Sequence, residues 1–110
     1  MAAMAVAALL LAAHTAAPVN ASSEDRTLWL YHTHTHETAK FTYWHNGQYD
    51  QTVLDQLNVF LADWRTHEPT HMDPHLFDLL WEVYQDVHAT QPYNIVSAYR
   101  SPETNSYLRS

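Results

Sequence analysis

An α+β fold is predicted for this 110-residue chain. It comprises an N-terminal β-hairpin, two packed helices and a closing strand–helix element. Three observations predict it. Apolar and polar residues alternate through "RTLWLYHTH" and "AKFTYWHNGQYD", the period-2 pattern of half-buried strands. From Gln51 the apolar spacing changes to that of a helix. Near the end, "QPYNIVSAYR" runs as a strand into "SPETNSYLRS", which opens as a capped helix.

The N-terminal "MAAMAVAALLLAAHTAAPVNA" is apolar, alanine-rich and uncharged, and reads as a signal peptide over residues 1–21 with cleavage after Ala21. The apolar run from Met1 to Ala13 is too short for a transmembrane anchor, which needs about 18 residues. Residues 22–110 then form the domain, exported and without a membrane segment. The chain has no cysteine, so a core must come from its aromatic residues, four Trp, seven Tyr and three Phe. A net charge of −7 with neutral histidines argues against a nucleic-acid partner.

In the hairpin, Leu28 and Leu30 point one way and Trp29 and Tyr31 the other, with "THET" joining the strands. Phe41, Tyr43 and His45 share a face of the second strand, and Asn46-Gly47 supplies a tight turn. The first helix carries Leu54, Leu57, Phe60, Leu61 and Trp64 on one stripe, with Thr52 and Asp55 as a capping box. The second starts at Asp73 as N-cap and Pro74 as N1, with Leu76, Leu80, Val83, Tyr84 and Val87 as its apolar stripe. The last strand alternates Ile95, Ser97 and Tyr99 with Val96 and Ala98. Ser101 as N-cap, Pro102 as N1 and Glu103 in the first turn begin the final helix.

The chain holds nine histidines, three of them alternating in "LYHTHTHETAKF". Strand residues two apart lie about 6.6 Å from each other on one face, so His32 and His36 are about 13 Å apart. Two neighbours of such a run can converge on one zinc ion, whose bonds to imidazole are about 2.0–2.1 Å, but three cannot. A site built on His32 and His34 therefore needs a third ligand, and His45 is the nearest candidate. The other reading is that these are exposed polar positions of a hairpin. His71, Asp73, His75 and Asp78 are also dense, but Asp73 is taken as a cap and His71 lies outside the helix.

"SAYRSPETN" is of a different kind. Arg100 ends a strand and precedes a helix N-terminus, where a fixed cation and free backbone N–H groups can hold a carboxylate or a developing oxyanion. The alternative is an Arg100 paired with an acid such as Glu103.

The segments "LYHTHTHE", "QTVLDQLNVFLADWRTHE", "MDPHLFDLLWEVYQDV" and above all "IVSAYRSPETNSYLRS" resemble the opening half of the murein endopeptidase K family. That group sits with the D-Ala-D-Ala zinc carboxypeptidases and dipeptidases, and the resemblance covers residues 27–110. It implies a periplasmic zinc hydrolase that cuts peptide cross-links between peptidoglycan stems. Family members hold zinc through a Ser-x-His-x-x-Gly-x-Ala-x-Asp motif and a second histidine, and no stretch of this chain matches either. The resemblance thus implies an incomplete domain, truncated before the zinc motif, with no metal ligands of the family type and no activity alone. Arg100 carries over as a transition-state or substrate-carboxylate clamp, Tyr99 and Ser101 as its motif neighbours, and Asn105 as shaping the same region. Two departures are Ala98 and His36, each standing where the family tends to carry glycine. A small periplasmic His-rich metal-binding protein using His32, His34 and His45, and a non-catalytic peptidoglycan-binding module, are the rival readings.

Overall fold

The computed structural model describes residues 24–110, so the signal segment at 1–21 lies outside the described residues. The elements are β1 (Arg26–His32), β2 (Thr38–His45), β3 (Gln48–Tyr49), α1 (Gln51–Phe60), α2 (Pro74–Asp86), β4 (Tyr93–Ile95) and α3 (Pro102–Arg109). They form the α+β architecture expected, with one mixed sheet in the order β3-β2-β1-β4. β1 and β2 pair antiparallel, whereas β4 lies parallel to β1. A parallel neighbour requires a long crossover, and α1 and α2 supply it.

Two turns set the antiparallel part. Asn46 and Gly47 both adopt positive φ, 54° and 77°, as a two-residue hairpin turn requires, and the chain folds back into the short β3. Between β1 and β2, His32 N–H donates to Glu37 O at 2.8 Å and His36 N–H to His32 O at 2.8 Å. His36 sits at φ 62°, a left-handed conformation that glycine adopts freely. His36 therefore holds a backbone conformation at which glycine would be unstrained.

The core is small. Leu28 and Leu30 of β1, Tyr43 of β2, Leu54 and Leu57 of α1, Leu61 just beyond it, and Phe77 of α2 are buried together. β1 buries the predicted face, since Leu28 and Leu30 are buried while Trp29 and Tyr31 are half-exposed. Four expectations need correction. The cap of α1 is Asp50, whose Oδ1 accepts from Thr52 N–H at 3.0 Å and Val53 N–H at 3.3 Å, while Asp55 takes the Gln51 amide instead. α1 stops at Phe60, which leaves Trp64 in the following loop. The predicted stripe of α2 is rotated: Phe77 is its one buried residue, and Leu76, Val83 and Val87 are exposed. β4 pairs only over Tyr93–Ile95, because β1 turns away after His32 and residues 96–100 leave the ladder.

A carboxylate explains the rotation of α2. Asp78 accepts from Arg26 Nη1 and from Tyr43 OH, each at 2.8 Å, and from Tyr49 OH. One helix side chain thereby binds β1, β2 and β3. The Arg26 guanidinium lies 4.5 Å from the Trp44 ring and 5.5 Å from the Trp81 ring, a cation between two aromatic faces. With Asp78 and Trp81 turned to the sheet, Phe77 follows into the core and Leu76, Leu79 and Val83 turn outward. Burial opposes charge on Asp78, but the three donors outweigh it and hold its carboxyl below the usual range. Burial and the same carboxylate push the Tyr49 phenol up to about 12.

Asp78→Asn removes the ion pair and leaves three donors facing one neutral amide. The expected cost is about 2–3 kcal/mol, somewhat below a fully buried pair because both partners keep some exposure. Since the folded pKa is depressed, the stabilisation from ionised Asp78 is complete above the unfolded value near 3.8 and is lost as pH falls through the folded one. Urea unfolding of both proteins between about pH 5 and pH 2 checks this. A variant as stable as the parent, or one that loses as much stability on acidification, would refute the anchor.

Candidate functional site

The approach to α3 is fixed by a loop more than thirty residues upstream. Tyr99 N–H donates to Leu61 O at 3.2 Å, and Ser101 N–H donates to Asp63 Oδ2 at 2.8 Å. Residues on both sides of Arg100 are therefore pinned to the segment that follows α1. Asp63 has no exposed surface. Its Oδ1 accepts from Arg65 N–H at 2.8 Å and Thr66 N–H at 3.4 Å, closing the turn that begins with it. Its own N–H donates to Glu68 O at 2.9 Å. Burial alone would raise the Asp63 carboxyl, but the Thr104 hydroxyl and the Ser101 and Arg65 amides reverse this and hold it far below the usual range.

Ser101 caps α3 as predicted, its hydroxyl accepting from Thr104 N–H at 3.2 Å. It is fully buried, so its polar groups serve the junction and do not meet solvent. The expectation of free N–H groups at this helix start is reduced accordingly. Ser101 N–H is given to Asp63, Thr104 N–H to the cap, and Pro102 has none. Arg100 itself is exposed and makes no hydrogen bond or ion pair among the described residues, Glu103 included. Tyr99 is half-buried beside it. Asn105, also half-buried, lines a shallow hollow with Pro102, Ser106 and Arg109. Ala98 is not among the residues with positive φ, so the backbone there does not require glycine.

The alternating histidines do separate work. His32 is buried, and its Nδ1 lies 3.2 Å from His34 N–H and 3.4 Å from Thr35 N–H. Both are donors, so Nδ1 is an acceptor and the ring is neutral with its proton on Nε2. Burial, then the nearby His34, lowers its pKa, against a smaller opposing pull from Glu37. His34 stacks on Trp64 with ring centroids 4.0 Å apart, and His36 Nδ1 meets Tyr31 OH at 3.1 Å. His45 stands at the far end of the hairpin, where the strands pair Arg26 with Trp44, and bonds Asp50 through Nε2 at 2.8 Å. His32, His34 and His45 therefore do not converge, which corrects the grouping of these three as one site. In the second dense group His75 pairs with Asp73 in solvent while Asp78 faces the sheet. Among the described residues no three His, Cys, Asp or Glu side chains are placed to hold a metal.

Asp63 escaped the sequence reading because its partner lies 38 residues away. Its one local signal is the Asp-x-x-Thr turn in "ADWRTHE". Asp63→Ala leaves the Ser101 and Arg65 amides without their acceptor. Amide hydrogen exchange at Tyr99 and Ser101 is expected to speed up by about tenfold or more, with little change at Leu28 and Leu30 in β1. Uniform protection would show that the junction does not depend on Asp63.

With the geometry in place, comparison with known proteins gives a consistent answer. A family model described as "Peptidoglycan L,D-endopeptidase MepK" matches residues 20–110, which takes in every element from β1 to α3. Proteins so named from Escherichia coli strain K12, Escherichia coli O157:H7 and Shigella flexneri are each 35% identical to this chain over 85 residues. Those 85 residues are 77% of this chain and 47% of each relative, so the chain spans about half the length of the curated relatives it matches. No solved structure matches it. The family model thus covers the hairpin, the two helices and the Arg100 junction, and the chain belongs to the MepK family of peptidoglycan endopeptidases.

Proposed function

We propose that this chain is the substrate-gripping part of an exported peptidoglycan L,D-endopeptidase, and that Arg100 binds a carboxylate of the peptide stem. One observation carries the reading: an exposed, unpaired guanidinium on a backbone fixed on both sides, by Leu61 O and by Asp63. A cation so placed loses little freedom on binding, and its planar fork matches a carboxylate in two bonds. Tyr99 flanks the bound group and Asn105 offers an amide on the next turn. Ser101 acts through the backbone, holding Arg100 in place. Support for an exported protein comes from the relatives' named action on peptidoglycan and from the apolar start of the chain. No helix among the described residues is long and apolar enough to cross a membrane.

Zinc belongs to this reading through the family resemblance, and when bound it supplies a Lewis acid and an activated water. The described residues do not fit such a centre, because His32 is closed around the turn amides and the other histidines are dispersed. They bind and orient; no bond-breaking step is assigned to them. Cleavage of cross-linked muropeptides by this chain with added zinc would contradict that division.

Binding to isolated sacculi tests the grip directly. The chain is expected to bind in the presence of a chelator, and Arg100→Ala to weaken binding by about tenfold or more. Arg100→Lys keeps the charge without the fork and should fall between the two. Unchanged binding by the alanine variant removes Arg100 from the site, and loss of binding in chelator favours the metal-binding alternative.

A further inference from the structure

The hairpin turn, α1 and the Asp63 loop surround a cleft of about 460 Å³, within the range of small-ligand sites, and the reading of Arg100 does not use it. Its walls are aromatic: Phe41 and Phe60, with ring centroids 5.3 Å apart, and Trp64. Thr35, Gln56 and His67 add polar groups beside them, and the charged groups are uneven. No Lys or Arg lines it; Arg65 and Lys40 each adjoin a lining residue in sequence, and they lie over the Trp64 ring at 4.2 Å and the Trp29 ring at 4.7 Å. Two acidic residues line it, Glu37 and Asp63, and Asp63 has no exposed surface. Asp63 is committed to backbone amides, as described above. Glu37 is exposed, and its side chain has no hydrogen bond or ion pair among the described residues. The buried His32 adds no positive charge while its Nδ1 accepts from the turn.

This combination disfavours anions, which would meet the Glu37 carboxylate and no lining Lys or Arg. A neutral apolar ligand would fit the walls but gain nothing from Glu37. A primary ammonium on an aliphatic stem satisfies both, with the stem against Phe41 and Phe60 and the charge at Glu37. We propose that the cleft is a binding site for such an amine, as presented by a lysine-like side chain. The cleft shares Asp63 with the Arg100 junction, since Ala62, Asp63 and Trp64 line it while Leu61 and Asp63 hold residues 99 and 101. The proposal goes beyond the carboxylate grip and does not depend on it.

Titration of the full chain with pentylammonium, 1-pentanol and pentanoate, followed by NMR of the backbone amides and indole N–H groups, tests it near neutral pH. Pentylammonium is expected to shift Glu37 and the Trp64 indole saturably, with 1-pentanol weaker by about fivefold or more and pentanoate without effect. Glu37→Gln should bring pentylammonium down to the level of pentanol. Because Glu37 is exposed, the rest of that variant's spectrum should overlay on the parent's. The proposal fails if the amine and the alcohol bind equally, if pentanoate binds better, if Glu37→Gln changes nothing, or if no probe gives a saturable shift.

Discussion

The structure depends on one carboxylate that accepts from three strands at once. Asp78 receives Arg26 from β1, Tyr43 from β2 and Tyr49 from β3. In a chain without cysteine, whose described residues bury seven core side chains, a link across the sheet at this density takes the place of covalent stapling. Its value is in geometry more than in raw energy, because a buried ion pair sets its Coulomb gain against desolvation. What it fixes is the rotation of α2. The predicted apolar stripe would bury Leu76, Val83 and Val87, and the helix instead presents Phe77, Asp78 and Trp81 to the sheet.

A second aspartate holds the other end. Asp63 joins the loop after α1 to the start of α3 through a set of amides and a hydroxyl, and its ionised state is the one those donors require. The two aspartates divide the molecule. Asp78 registers a helix against the sheet, and Asp63 registers a helix start against a loop. Arg100 sits where the second registration is tightest, between two pinned residues. Side chains on rigid support lose less freedom when they bind, and the buried Asp63 gives the exposed Arg100 such a support.

What was legible in the sequence was local. Alternation gave β1 and β2, Asn46-Gly47 gave the turn, and Asp73-Pro74 and Ser101-Pro102 gave two helix starts, because each signal spans a few residues. The cap of α1 misled because Thr52 and Asp55 match a pattern, whereas Asp50, two residues ahead, reaches the free amides. Phe77 was hidden because α2 carries two overlapping apolar stripes, and only a partner on the sheet chooses between them. Arg100 stood out through its neighbours and Asp63 did not, for the same reason: a cap is read along the chain and a tertiary acceptor is not.

The histidine run shows how density misleads. A metal site needs several rings to turn toward one point, and here each ring is taken by a different constraint. His32 closes the turn from inside, His34 covers Trp64, and His36 bends the backbone through a conformation that favours glycine. Only His32 is buried, and it can accept two amides only while its Nδ1 is free of a proton. A histidine whose folded pKa is lowered stabilises the fold fully above its unfolded value near 6.5, and that contribution falls away as pH drops through the folded value. The turn it closes is also one wall of the cleft beside α1. The same ring therefore couples the neutral state of His32 to the turn that walls the cleft.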